Sequence, residues 1–147
     1  MDAQLGQDDP ITAEALYPRW ANFLKPNDIL VAETGTSSMG LAFALMPKGA
    51  TFHNQTLWGS IGWATPAAFG ADVAARDRRV VLVTGEGSHQ LTAQEISQFG
   101  RRGLRGYPAI NTGKNHPDVV SAPSDEASGG ICGGLAAIFR RILADSQ

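Results

Sequence analysis

The chain has 147 residues, 43% of them hydrophobic, a net charge of −2 and a single cysteine, Cys132. That length suits one domain with a packed core, whereas a nucleic-acid surface needs a basic patch that this charge balance does not provide. No apolar run approaches the roughly 18–20 residues of a membrane span, Met1 is followed by acidic and polar residues rather than a signal peptide, and a lone cysteine makes neither a disulfide framework nor a CxxC site. The default expectation is a cytoplasmic protein.

Residues 1–10 are polar and read as a flexible N-terminus. Thr12 caps a predicted helix through Leu24, in which Leu16, Trp20, Phe23 and Leu24 recur at helical spacing, and Pro26 and Asn27 stop it. Asp28 to Ala32 reads as a buried strand, Ser38 to Leu45 as a short helix ended by Pro47 and Gly49, and Thr51 to His53 as a short strand. Ile61 to Ala75 is rich in Ala and Gly and predicts a closely packing helix, followed by a charged turn from Arg76 to Arg79. Val80 to Val83 is a continuous apolar run, expected of a strand covered on both faces. Thr92 is the predicted N-cap of the next helix, with Glu95 completing a capping box. Strands alternating with helices predict an α/β fold, a parallel sheet with helices on both faces.

Past Gly103 the composition changes. Residues 105–130 are rich in Gly, Pro, Ser, Asn and Asp, contain no run of four apolar residues, and read as loop or disorder. Residues 131–144 predict a terminal amphipathic helix, with Leu135, Ile138, Phe139, Ile142 and Leu143 on one side. No internal repeat is present.

The sharpest chemical signal is the run VVLVTGEGSHQLTAQEISQFGRRGL, Val80 to Leu104. A buried strand ends in a turn where Gly85 and Gly87 bracket Glu86. Glycine permits positive φ and close approach of a ligand to backbone. Ligands of open α/β sheets bind just beyond the strand ends, and a helix N-terminus favours phosphate. Glu86 offers hard oxygen to Mg²⁺, which also takes oxygens from bound phosphates. The bland reading is an ordinary strand–turn–helix connection with a solvated Glu. Neither the Walker A pattern nor the G-x-G-x-x-G pattern is present.

The segment GEGSHQLTAQEIS closely resembles the diphosphate-binding signature of the thiamine-diphosphate-dependent 2-oxo acid decarboxylases, the family of pyruvate and indolepyruvate decarboxylases. DILVAETGTSSMG, Asp28 to Gly40, resembles the family's strand and loop that approach the thiamine, and QTLWGSIGWATPAAFGADVAA, Gln55 to Ala75, its W-G-S-I-G segment and following helix. The three lie in the family's order, and the resemblance spans roughly Ile11 to Leu104. It implies a thiamine-diphosphate-binding fold over residues 11–104, with thiamine diphosphate and Mg²⁺ as cofactors and decarboxylation of pyruvate or a related 2-oxo acid to an aldehyde and CO₂ as the activity.

Residue by residue, the resemblance assigns Thr34, Gly35 and Thr36 to the loop that contacts the cofactor and Gly59 to the backbone position that hydrogen-bonds the aminopyrimidine, with Ser60 beside it. Ile61 matches the bulky residue that wedges the cofactor into its bent form, bringing its amine near the thiazolium carbon. Gly85, Glu86, Gly87 and Ser88 match the diphosphate and metal turn, with Glu86 where most members have Asp. No catalytic residue is carried over.

The match breaks after Leu104, and residues 105–147 read as a divergent tail. At the first expected metal-binding Asn stands Thr112; Asn111 is one position early and Asn115 three beyond, and a loop Asn is more often a turn residue. The family's downstream G-Y-x-x-E segment and its N-terminal domain have no counterpart. In the family that domain, from the partner subunit of a dimer, supplies the glutamate that completes the site. The chain therefore reads as one domain of a larger enzyme, ended by a frameshift, a deletion or a mispredicted gene end, and alone it is expected not to release CO₂ from pyruvate. The rival reading is a catalytically silent fragment or interaction module; an unrelated phosphate-binding domain has less support, given three ordered motifs.

His53, His89 and His116 lack metal-ligand spacing and read as structural or solvated, although His89 follows the metal turn directly. Trp58 and Trp63 flank the cofactor segment and read as core. Arg101, Arg102 and Arg105 fit a helix end, where cations suit the dipole. Ser60 and Ser88 have no His and Asp pattern beside them that would make a hydrolase.

Overall fold

The computed structural model describes residues 13–102, 107–111 and 119–120. The N-terminal segment, the 131–144 helix, Arg105, Asn115, His116 and Cys132 lie outside the described residues. The elements run α1 Ala13–Phe23, β1 Ile29–Ala32, α2 Thr36–Leu41, β2 Thr51–Asn54, α3 Ala64–Ala74, β3 Val80–Gly85, α4 Glu86–Leu91, a 3-10 turn Ala93–Glu95, α5 Ile96–Arg101, β4 Tyr107–Asn111 and β5 Val119–Val120.

The strands form one sheet in the order β2-β1-β3-β4-β5. The first three pairings are parallel, and β5 joins β4 antiparallel. Strand alternation sends successive side chains to opposite faces, and the core divides accordingly. On one face Leu30, Ala32, Val81 and Val83 pack with Trp20 and Leu24 from α1 and its end, and with Leu41 from α2. On the other, Ile29, Val31, Val80 and Leu82 pack with Ala64 and Ala68 of α3 and Phe99 of α5. This is the α/β fold with a parallel sheet and helices on both faces that the alternation predicts.

Chain order and strand order together locate a binding edge. From β1 the chain moves outward to β2, then crosses back over β1 to β3 and on to β4. The direction of winding reverses between β1 and β3, and in open α/β sheets such a switch point opens a crevice at the carboxyl ends of the strands. The opposite edge is closed by Asp28, which is 2% exposed. Arg79 donates to both of its carboxylate oxygens, from Nε at 2.9 Å and from Nη2.

Four differences from the sequence reading have physical causes. The Gly85–Ser88 turn is not a loop before a helix starting at Thr92: α4 begins at Glu86, directly off β3. The capping box does not form, because the Thr92 hydroxyl donates to the Gly62 carbonyl at 3.0 Å and no side chain caps the 3-10 turn that follows. Gly85 has an extended backbone (φ −80), so its conformation does not require glycine. Residues 107–111, read as loop within the Gly-, Pro-, Ser-, Asn- and Asp-rich stretch 105–130, form β4; pairing with β3, buried from Val80 to Thr84, supplies what local composition lacks. The short helices also shift: α2 starts at Thr36 rather than Ser38, and α3 at Ala64 rather than Ile61.

Candidate functional site

Because β1, β2, β3 and β4 are parallel, the segments leaving their carboxyl ends share one edge of the sheet. These are Thr34–Thr36 after β1, the Gln55–Ile61 loop after β2 and Glu86–Ser88 after β3, with Asn111 ending β4. Nine of the ten residues singled out in the sequence fall in the first three segments, and the tenth, Gly85, is the last residue of β3. The register sets Gly85 opposite Asn111.

Each segment is fixed by a specific contact. Thr34 donates its hydroxyl to the Gln55 carbonyl, joining the first segment to the second. Gly35 stands at the N-cap of α2, and the Thr36 carbonyl accepts from the Tyr17 hydroxyl at 2.9 Å. In the W-G-S-I-G loop Gly59 and Gly62 have φ of 62 and 85, a left-handed conformation that costs an L side chain roughly 1–2 kcal/mol. Those two turns hold Leu57, Trp58 and Ile61 outward, at 84%, 79% and 54% exposure. Trp58 is therefore not core, contrary to the sequence expectation. Trp63, one residue past the second turn, does pack against the core.

The third segment is the first turn of α4. Gly85 is the N-cap of α4 and, as a glycine, brings no side-chain cap to it. A Cβ placed on Gly87 would meet nothing within 4 Å, so the backbone there is open to close approach. Ser88 is half-buried, and its carbonyl lies 3.5 Å from where a Gly62 Cβ would stand. His89 is half-buried, with Nδ1 3.5 Å from the buried Thr65 hydroxyl; burial pushes its pKa below the ordinary 6.5. His53 is exposed and contacts Thr51 at 3.1 Å, as a solvated residue would.

Sequence reasoning missed Glu33. It follows the four buried residues of β1 and is itself 1% exposed. Its Oε1 accepts from the Thr34 amide at 3.0 Å, and its Oε2 from the Gly62 and Ala64 amides at 3.0 and 3.2 Å. Its signal in the sequence was positional: a carboxylate at the carboxyl end of a buried strand, just before T-G-T.

Among the described residues no group of three or more His, Cys, Asp or Glu could hold a metal. A metal at this edge would take most of its shell from other oxygens. That suits Mg²⁺, which is commonly bound by one or two carboxylates together with phosphate oxygens and water.

Comparison with known proteins decides the family. The sequence model of the thiamine pyrophosphate enzyme C-terminal TPP-binding domain matches residues 33–107. The chain belongs to this family. The match begins at Glu33 and takes in the three motif segments of the site, ending before Asn111. Alpha-keto-acid decarboxylases of Mycobacterium tuberculosis H37Rv and Mycobacterium ulcerans are 47% and 48% identical over 98 residues, 67% of this chain but 18% and 17% of those proteins. The chain thus spans less than a fifth of these curated relatives. An X-ray structure from Mycobacterium smegmatis, described as a thiamin diphosphate-dependent enzyme, superposes with a TM-score of 0.66 at 25% identity, over 92% of this chain and 30% of that one.

Proposed function

We propose that this TPP-binding domain contributes the diphosphate- and Mg²⁺-binding half of the site of a 2-oxo acid decarboxylase acting on pyruvate or a related 2-oxo acid in the cytoplasm. The observation that carries the proposal is the convergence of the three motif segments at the β1/β3 switch point, within the stretch the family model covers. The open backbone at Gly87 and the uncapped start of α4 fit a diphosphate. Glu86 would hold Mg²⁺, Gly85, Gly87 and Ser88 would bind the diphosphate, and Asn111, opposite Gly85 in register, would be the second oxygen donor to the metal. Thr34, Gly35, Thr36, Gly59 and Ser60 would contact the rest of the cofactor, and Ile61 would pack against it.

The bound cofactor would supply the electron sink for decarboxylation, while protein groups bind and orient it. In this reading the family's N-terminal domain, contributed by a homodimer partner, would supply the glutamate that completes the site. The exposed Leu57, Trp58 and Ile61 beside the site, together with Leu91 at 57% exposure, give that domain an apolar surface to cover.

The test is a thermal melt with Mg²⁺ alone and with Mg²⁺ plus thiamine diphosphate. A ligand that binds the folded state raises the midpoint. The expected result is an upward shift that disappears in Glu86→Ala; a cooperative melt with no shift would refute the reading.

A further inference from the structure

Glu33 is an expensive residue to place where it stands. Burying a carboxylate is costly unless it is paired and hydrogen-bonded, and among the described residues no Lys, Arg or His pairs with it. Its compensation is three backbone N–H donors. An apolar side chain would serve the core alone, so the informative fact is which donors it gathers. The Thr34 amide opens the Thr34–Thr36 segment. The Gly62 and Ala64 amides end the Gly59–Ile61 loop and begin α3.

Gly62 carries the connection onward. Its amide donates to Glu33 and its carbonyl accepts from Thr92, beyond α4. A Cβ on Gly62 would lie 3.0 Å from Leu91 Cβ and 3.5 Å from the Ser88 carbonyl oxygen, so its backbone is pressed against α4. The chain of contacts Glu33, Gly62, Thr92 therefore fastens together all three segments of the site.

We propose that Glu33 is a positioning residue, which sets the spacing of the thiamine-contacting loops against the diphosphate-binding turn through Gly62 and Thr92. The proposal rests on the cofactor-binding reading given above. Glutamine at position 33 keeps one acceptor oxygen but turns an NH₂ donor toward N–H groups, so it cannot satisfy all three amides. Valine at position 92 removes only the outer link.

The full chain is compared with Glu33→Gln, Thr92→Val and a control, Leu24→Ala, which opens the core beneath α1 away from the site. Thiamine diphosphate affinity at saturating Mg²⁺ is measured by calorimetry well below every melting midpoint, and amide hydrogen exchange is measured without ligand. Glu33→Gln is expected to lose about tenfold or more in affinity, the scale of removing outer-shell support at a ligand site, with faster exchange at Gly62 and Ala64. Thr92→Val loses less, and Leu24→Ala lowers the midpoint while keeping wild-type affinity. If Glu33→Gln does not fold, Thr92→Val against Leu24→Ala decides. Wild-type affinity in the foldable Glu33 or Thr92 variants, or an equal loss in the control, overturns the positioning role and leaves the cofactor reading intact. A wild-type chain that folds but binds no cofactor overturns the cofactor reading, and the positioning role falls with it.

Discussion

Gly85 and Asn111 stand opposite one another where β3 and β4 end. Glu86 is the next residue after Gly85, so the register brings an acid and an amide to the same corner of the sheet from two strands. If both supply oxygen to one Mg²⁺, each truncation weakens the same equilibrium. Glu86→Ala is expected to abolish Mg²⁺-dependent binding of thiamine diphosphate, and Asn111→Ala to weaken it by about tenfold or more, with the deficit appearing as a higher Mg²⁺ requirement. A magnesium titration at fixed thiamine diphosphate checks this. An Asn111→Ala curve superimposed on wild type would remove Asn111 from the metal shell.

Two glycines near α4 make opposite predictions. Gly87 lies inside the helix with open space where a Cβ would go. Alanine there should leave stability unchanged or raise it by up to about 1 kcal/mol through helix propensity, while the new methyl obstructs a diphosphate against the backbone. Gly62 has φ 85, and a Cβ there would crowd Leu91 at 3.0 Å. Gly62→Ala should cost about 1–2 kcal/mol from backbone conformation alone. Chemical denaturation of the two variants, each followed by a cofactor titration, separates a glycine kept for ligand access from one kept for packing.

The sheet's centre was legible in the sequence because β1 and β3 are continuous apolar runs, which a strand buried on both faces requires. The site segments were legible because glycines and an acid cluster where such strands end. What escaped were features decided by tertiary contact. YPAIN has neither a long apolar run nor alternation, and becomes β4 because β3 offers it a partner. Thr92 has the chemistry of a cap, yet the Gly62 carbonyl claims its hydroxyl. Trp58 has the composition of core, yet the left-handed turn at Gly59 leaves it outside. Glu33 resembles any surface acid until its three amide donors are seen.

At the amino edge, Asp28 and Arg79 make a two-pronged ion pair. The Arg79 guanidinium carbon also lies 4.9 Å from the centre of the Phe23 ring. Asp28 additionally accepts from the Lys25 amide at 2.8 Å. Removing one partner leaves a charge on a carboxylate that is 2% exposed. Arg79→Ala is expected to cost about 3 kcal/mol, the low end for breaking a buried pair, because Arg79 itself keeps 19% exposure. Equilibrium unfolding in urea measures the loss. Cofactor affinity at low temperature should stay at the wild-type value, since this pair lies at the edge opposite the site.

His89 gives the domain a pH response with a definite sign. Burial lowers its folded-state pKa below the ordinary 6.5, so the folded state favours the neutral ring. When pH falls below that ordinary value the unfolded chain takes up a proton that the folded chain resists, and stability declines until the folded pKa is passed. Above the ordinary value of 6.5 both states hold neutral imidazole and the contribution is flat. The melting midpoint should therefore fall on acidification through the mildly acidic range, and His89→Gln should remove that part of the slope while leaving the higher-pH plateau. A pH series of melts on both proteins measures it; parallel curves would show that His89 is solvated in the folded state rather than held against Thr65.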